Sequence, residues 1–304
     1  MAQAGDDRKR ERPVGDRAAE SGVKAAKLKV WSPTRRGWPT QGAMMRDPYR
    51  YVNDLDPVAV QQLIRRLESR AQDPVFTTLL DKYLGQLNLT EQPLVLDVGC
   101  GTGAFLRRLL KRDDFTGLGF GIDQSQEFID AAVHFANAEG LLDRLTFRTG
   151  DVHQLGYPNA TFDIVIANTL LSHVTDAMSA LVEMGRVLRP GGTMVIFDGD
   201  YSSLSYAYPD HHLAQEMNMA LANCTFNNPA LIQDLPRLLP ACGLRVLDAW
   251  GDAVTEIGYA SYFRSFAETF VPYVEQSGML PRSAVACWYA YQSQAWEKGT
   301  FFAS

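Results

Sequence analysis

Apolar residues along this chain follow a helical period before residue 90 and a strand-and-helix alternation after it. Val60, Leu63, Ile64 and Leu67 recur at helical spacing behind Asp56-Pro57, an acid that can cap a helix and a proline suited to its first position. A second such stretch follows Asp73-Pro74, with Val75, Phe76, Leu79, Leu80, Tyr83 and Leu84 apolar. From Leu94 short apolar runs alternate with amphipathic ones. Strands are expected at 94–98, 117–123, 145–149, 162–167 and 193–198, with helices at 104–111, 125–138 and 176–188. Strands apolar on both faces, separated by helices, predict a parallel sheet covered on both sides. After Asp198 the rhythm breaks. Residues 199–230 are rich in aromatics and methionine, a helix is expected at 231–241, and a sixth strand at 244–250. Helical spacing then fills 259–274 and 283–298, before a short final apolar run at 300–303.

The first strand carries the chemistry. Residues 94–105 read LVLDVGCGTGAF: a buried strand ends at Asp97, and Gly99, Gly101 and Gly103 follow at alternate positions, with Cys100 between the first two. A sharp strand-to-helix turn built of glycines lets backbone N–H groups approach a ligand, as at the nucleotide-binding corner of an α/β sheet. Gly99, Gly101 and Ala104 also satisfy the relaxed dinucleotide fingerprint, a weak signal by itself. Asp97 favours a cationic or amino-bearing ligand over a pyrophosphate, and the full D-x-G-x-G-x-G pattern resembles motif I of the class I S-adenosylmethionine-dependent methyltransferases.

The other strand ends agree. Strand two ends at Asp123, strand three at Gly150-Asp151-Val152, strand four in FDIVIAN at 162–168, and LRPGG at 188–192 leads into strand five. Together these are similar to the small-molecule class I enzymes, especially the broad family around the ubiquinone/menaquinone C-methyltransferases, over about residues 90–200. The resemblance implies a Rossmann-like, doubly wound, mostly parallel seven-stranded sheet with helices on both faces. Residues 300–303 would begin an antiparallel seventh strand, a short one. It implies S-adenosyl-L-methionine as cofactor. Gly99, Gly101 and Gly103 would admit the methionine and ribose parts, with Asp97 ordering the turn or meeting the amino-acid end. Asp123 would hold the ribose with Gln124 alongside, Asp151 and Val152 the adenine, and Asn168 the methionine amine.

Methyl transfer from a sulfonium is an in-line displacement, so alignment and exclusion of water matter most, with a base added where the nucleophile carries a proton. His173, five residues past Asn168, is the candidate base. Tyr49, Tyr51, Asp200, Tyr201, His211 and Tyr262 are candidate contacts for the acceptor, and the aromatics among them suit a hydrophobic, aromatic or cationic ligand. No N-P-P-Y-type motif ends strand four and no clustered cysteines are present, which disfavours DNA and arsenite acceptors. The expected function is methylation of an O, N or C atom of a small molecule. A cofactor-binding regulatory protein, or a fold member catalysing a different reaction, is the alternative.

Composition narrows the partners. The 304 residues carry a net charge of −6, which disfavours nucleic acid. No apolar run nears the roughly 20 residues of a membrane span, and the polar N-terminus is unlike a secretory signal. Cys100, Cys224, Cys242 and Cys287 lie far apart, unlike a zinc site or disulfide framework, so no metal is expected. A cytoplasmic monomer or homodimer is the expectation. Residues 1–45 read as a disordered basic tail, in which the Arg8-Lys9-Arg10-Glu11-Arg12 cluster is a solvated run or a nuclear signal. Residues 46–90 read as a helical cap, and 91–304 as the methyltransferase domain with cap insertions at 199–230 and 252–298.

Overall fold

The computed structural model describes residues 47–87, 89 and 91–304. The expected basic tail at 1–45 and its arginine cluster lie outside the described residues.

Two helices come first, α1 (Pro57–Gln72) and α2 (Pro74–Leu84). Each starts as the sequence dictates: Asp56 accepts from the backbone N–H groups of Val58 and Ala59, Asp73 accepts from Val75, and a proline occupies the first turn. The alternating segment follows as β1 (Leu94–Val98), α3 (Ala104–Leu110), β2 (Leu118–Asp123), α4 (Gln126–Ala138), β3 (Leu145–Thr149), β4 (Phe162–Asn168), α5 (Ala177–Val187) and β5 (Leu188–Phe197). These five strands pair in parallel in the order β3-β2-β1-β4-β5. Strand order therefore reverses between β1 and β4. The loops leaving their carboxyl ends run to opposite faces and open a crevice there.

The sheet core is split by the strand period of two. Leu96 and Val98 on β1, with Val165 and Ala167 on β4, pack under α5 and under α7 (Leu231–Ala241). Val95, Ile164 and Ile166 face α2 and α3. A second apolar core lies among α6 (His211–Thr225), α8 (Tyr262–Ser277) and α9 (Arg282–Lys298), centred on Tyr206, Phe266, Trp288 and Phe301. No helix among the described residues is long and apolar enough to cross a membrane.

Two expectations are corrected. Strand five begins at Leu188, five residues early, because LRPGG joins the ladder through a register shift against Phe162 and Ile164. More importantly, among the described residues the main sheet has five strands, not seven. Residues 244–250 form no ladder, and Val246 and Leu247 are 49% and 68% exposed. The final run pairs elsewhere: β7 (Phe302–Ala303) lies antiparallel to β6 (Glu256–Ile257), and Ala303 bridges to Tyr206. The reason is burial. Phe301 and Ala303 are sealed in the α6–α8–α9 core, which draws the chain end to the cap rather than to the sheet edge.

One buried acid fixes the cap against the crevice. Glu256, 3% exposed, accepts from the N–H groups of Ser261 and Tyr262 through Oε1 and of Phe263 through Oε2. It satisfies the start of α8, where unpaired donors and the helix dipole both favour a carboxylate. Glu256→Ala should cost about 1–3 kcal/mol in denaturant unfolding. A loss below about 0.5 kcal/mol, the level of an ordinary surface change, would show that this acid does not hold α8.

Candidate active site

The carboxyl ends of β1, β2, β3 and β4 converge with α1, α8 and the 47–55 segment around one cavity of about 840 Å³. That is near the top of the roughly 300–1,000 Å³ range of small-ligand sites. Asp97, Gly99, Cys100, Gly101, Asp123, Gln124, Asp151, Val152, Asn168 and His173 all line it, as do Tyr49, Tyr51, Tyr201 and Tyr262.

Three candidates stand elsewhere. Gly103 starts α3 with φ +71°, and a Cβ there would sit 2.7 Å from the Phe147 ring, so it serves helix–strand packing rather than the cavity. Asp200 bonds Ser202 and Gln233 in a short turn. His211 opens α6 on the exposed surface. The glycine repeat suggested Gly103, and proximity in sequence to the end of β5 suggested Asp200 and His211; the turns after β1 and β5 carry all three out of the cavity lining.

The floor of the cavity is acidic. Asp97 is 1% exposed, and its Oδ1 is buried without a hydrogen-bond partner. Burial first, and the neighbouring Asp123 charge second, push its carboxyl well above the ordinary 3.8. Asp123 accepts from Gly101 N–H at 2.9 Å and from Ser125 N–H at 3.0 Å, which leaves lone pairs on both oxygens. Its side chain is not the cap of α4: Ser125 accepts from Phe128 N–H. Burial raises Asp123 as well, against the pull of those backbone donors. Because these values are raised, the native chain holds more protons than the unfolded one above pH 3.8. Their contribution to stability is therefore greatest at low pH and falls as pH rises through the raised values. A cation in the cavity would reverse that loss.

The turn makes room for such a ligand. Gly101 has φ +51° and faces the cavity, and a Cβ there would come 3.1 Å from Leu67. At the rim, Asp151 is exposed, and its Oδ1 meets the N–H and Nδ1 of His153 at 2.8 and 2.7 Å. Asn168 donates to the Tyr83 hydroxyl and accepts from Thr169. Cys100 is buried, and burial pushes its thiol far up, so it contributes shape rather than a nucleophile. Gln124 donates to the carbonyls of Tyr49 and Arg50, which fastens the 47–55 segment over the end of β2.

Several groups at or behind the cavity wall were not legible from spacing. Asp47, 1% exposed, bonds His173 Nδ1 at 2.9 Å through Oδ1, and its Oδ2 accepts from Asn227 N–H. Burial works to lower the His173 pKa. The Asp47 charge and hydrogen bond, with Asp198, outweigh it and lift the imidazole above 6.5. Tyr49 and Phe226 flank its ring at 5.0 and 5.1 Å. Arg66 and Arg70, four apart on α1, also reach the cavity. Arg70 donates to Thr169 Oγ1 at 2.7 Å, and Thr169 is held at φ +52°, a strained conformation for a β-branched residue.

The acidic floor, the glycine cradle and the orphaned Asp97 oxygen fit a cationic nucleoside such as S-adenosylmethionine. Residues 96–196 match the methyltransferase domain family. The 27-O-demethylrifamycin SV methyltransferase of Amycolatopsis mediterranei is 34% identical over 131 residues, which are 43% of this chain and 47% of that protein. A sterol 24-C-methyltransferase of Neurospora crassa is 28% identical over 227 residues, covering 66% of this chain and 59% of its own. The chain thus spans about half the length of the curated relatives it matches. The YcgJ protein of Bacillus subtilis shares the fold, with a TM-score of 0.51 at 19% identity over 74% of this chain and 93% of that one. Strand order, the glycine turn after β1 and the matched family agree: residues 96–196 form a methyltransferase domain, set on a sheet of the class I fold.

Proposed function

We propose that this protein transfers a methyl group to a nucleophilic O, N or C atom of a small-molecule acceptor, with His173 as the proton-accepting group. The observation that carries this reading is one cavity lined both by buried acids and by a buried histidine that an aspartate holds from behind. The curated relatives named above include one whose name specifies an oxygen and one whose name specifies a carbon.

S-adenosylmethionine, when bound, supplies an electrophilic methyl on a sulfonium. Asp123 would accept from the ribose hydroxyls, and the 150–152 turn would meet the adenine. Asp97 and Asn168 would hold the ammonium, and Arg70 would hold the carboxylate. Burial of both acids strengthens their hold on a cation, because little water competes. The 47–55 segment, fastened by Gln124 and Asp47, excludes water from the acceptor side. Asp47 fixes the tautomer and orientation of His173, leaving Nε2 to take a proton from a hydroxyl or ammonium acceptor.

Saturating S-adenosylhomocysteine should raise the melting temperature, and Asp123→Ala and Arg70→Met should each weaken its calorimetric affinity at least about tenfold, the loss of a hydrogen bond to a charged group. No shift at millimolar ligand would sink the cofactor assignment.

The histidine makes a separate forecast. Its conjugate acid is stabilised, so activity should rise with pH along a limb lying above 6.5. Asp47→Asn should move that limb downward, because only the more weakly acting Asp198 charge then opposes burial. His173→Gln should cost about 10²–10⁴ in kcat, read as S-adenosylhomocysteine release across a panel of phenols, amines and quinols. A pH profile that is flat from about pH 6 to 9 contradicts the base assignment.

A further inference from the structure

Arg66 and Arg107 are buried to the same degree, 8% and 7% exposed, yet their surroundings differ in one respect. Arg107 is clamped by two carboxylates, Glu68 and Glu139. Arg66 has none. Among the described residues no carboxylate stands within 4.0 Å of it, and its Nη1 donates to a neutral partner, the Ser265 hydroxyl, at 2.8 Å. Its guanidinium lies 5.0–5.4 Å from the ring centroids of Tyr262, Phe266 and Phe270. Aromatic faces and the hydroxyls of Ser265 and Tyr49 hold the guanidinium, but these neutral partners leave its charge uncompensated. A buried guanidinium is stable chiefly when paired, and its planar fork matches a carboxylate.

Arg66 is also a wall of the cavity, on the side of α8 and Tyr49 rather than over the acids of β1 and β2. An anion arriving there would lie among Tyr49, Tyr262 and Phe266, away from the cationic-ligand floor. We propose that Arg66 is a specificity-determining residue that binds a carboxylate borne by the methyl acceptor, so that the acceptor class is an aromatic or hydrophobic acid. This rests on the methyltransferase reading above, in which Arg70 takes the carboxylate of the cofactor. The cavity then holds two anion sites four residues apart on one helix face: one for the donor molecule and one for the acceptor.

The test uses the full chain saturated with S-adenosylhomocysteine and three probe pairs: benzoate with benzamide, 4-hydroxybenzoate with 4-hydroxybenzamide, and trans-cinnamate with trans-cinnamamide. Each pair keeps shape and removes the charge. Calorimetry on the wild type should give at least a tenfold preference for one or more acids over the matching amide. Arg66→Met should reduce that preference to within twofold, with S-adenosylhomocysteine affinity changed less than threefold. Arg66→Lys, which keeps the charge but not the fork, should retain part of it and guards against misfolding of the methionine variant. A wild type that binds no acid better than its amide overturns the proposal whatever the variants do. So does Arg66→Met losing S-adenosylhomocysteine while acid preference stays, because Arg66 would then serve the cofactor. Failure of S-adenosylhomocysteine to bind the wild type at all would instead overturn the methyltransferase reading on which the proposal rests.

Discussion

The fold buries a carboxylate at the end of its central strand and leaves one of its oxygens without a partner. Asp97 sits where β1 pairs with both β2 and β4, opposite Gly121 and Ile166, and the sheet cannot move it toward water without breaking those ladders. An unpaired buried acid is costly. Its raised pKa is the sign of that cost, and Asp123 beside it adds to it. The arrangement makes sense as a site already set for positive charge, with the cost of the unpaired carboxylate recovered when a cation binds.

Around this floor the structure arranges compensating features from distant parts of the chain. The strand-order reversal between β1 and β4 opens the crevice. Helix α1 brings Arg66 and Arg70 to its far wall. The 47–55 segment crosses the mouth, with Asp47 joined both to His173 after β4 and to Asn227 after α6. Asp47 itself holds φ +51°, and Thr169 under Arg70 holds +52°. Strained non-glycine residues persist only where their neighbours over-determine them. Here Thr169 lines the cavity, Asp47 stands behind its His173 wall, and both are tied by side-chain hydrogen bonds.

What could be read in the chain beforehand was local. Each of the five parallel strands carries its own apolar run and ends in its own polar signal, so Asp97, Asp123, Asp151 and Asn168 were all identifiable as strand-end residues. The groups that were missed belong to helices and a loop whose pattern speaks only of an apolar face. Arg66 and Arg70 look like solvent positions of α1 until α8 and the 168–170 turn pack over them. Asp47 has no sequence neighbour that marks it. The sheet edge was misread for a related reason. Residues 244–250 have the apolar content of a strand, but the decision belongs to Phe301 and Ala303, which gain more by filling the cap core than by extending the sheet. Asp200 and His211 were placed near the site by sequence distance alone, and a turn and a helix start account for both.

The central claim is that buried acids of raised pKa are held ready for a cationic cofactor. It is tested most directly by counting protons exchanged when S-adenosylmethionine binds. Calorimetric titrations at mildly acidic pH, repeated in buffers of different ionisation enthalpy, give that number. Ionisation of Asp97 and Asp123 on arrival of the cation predicts net proton release, reduced in Asp97→Asn. Binding with no proton exchange, or with net uptake, would contradict the account.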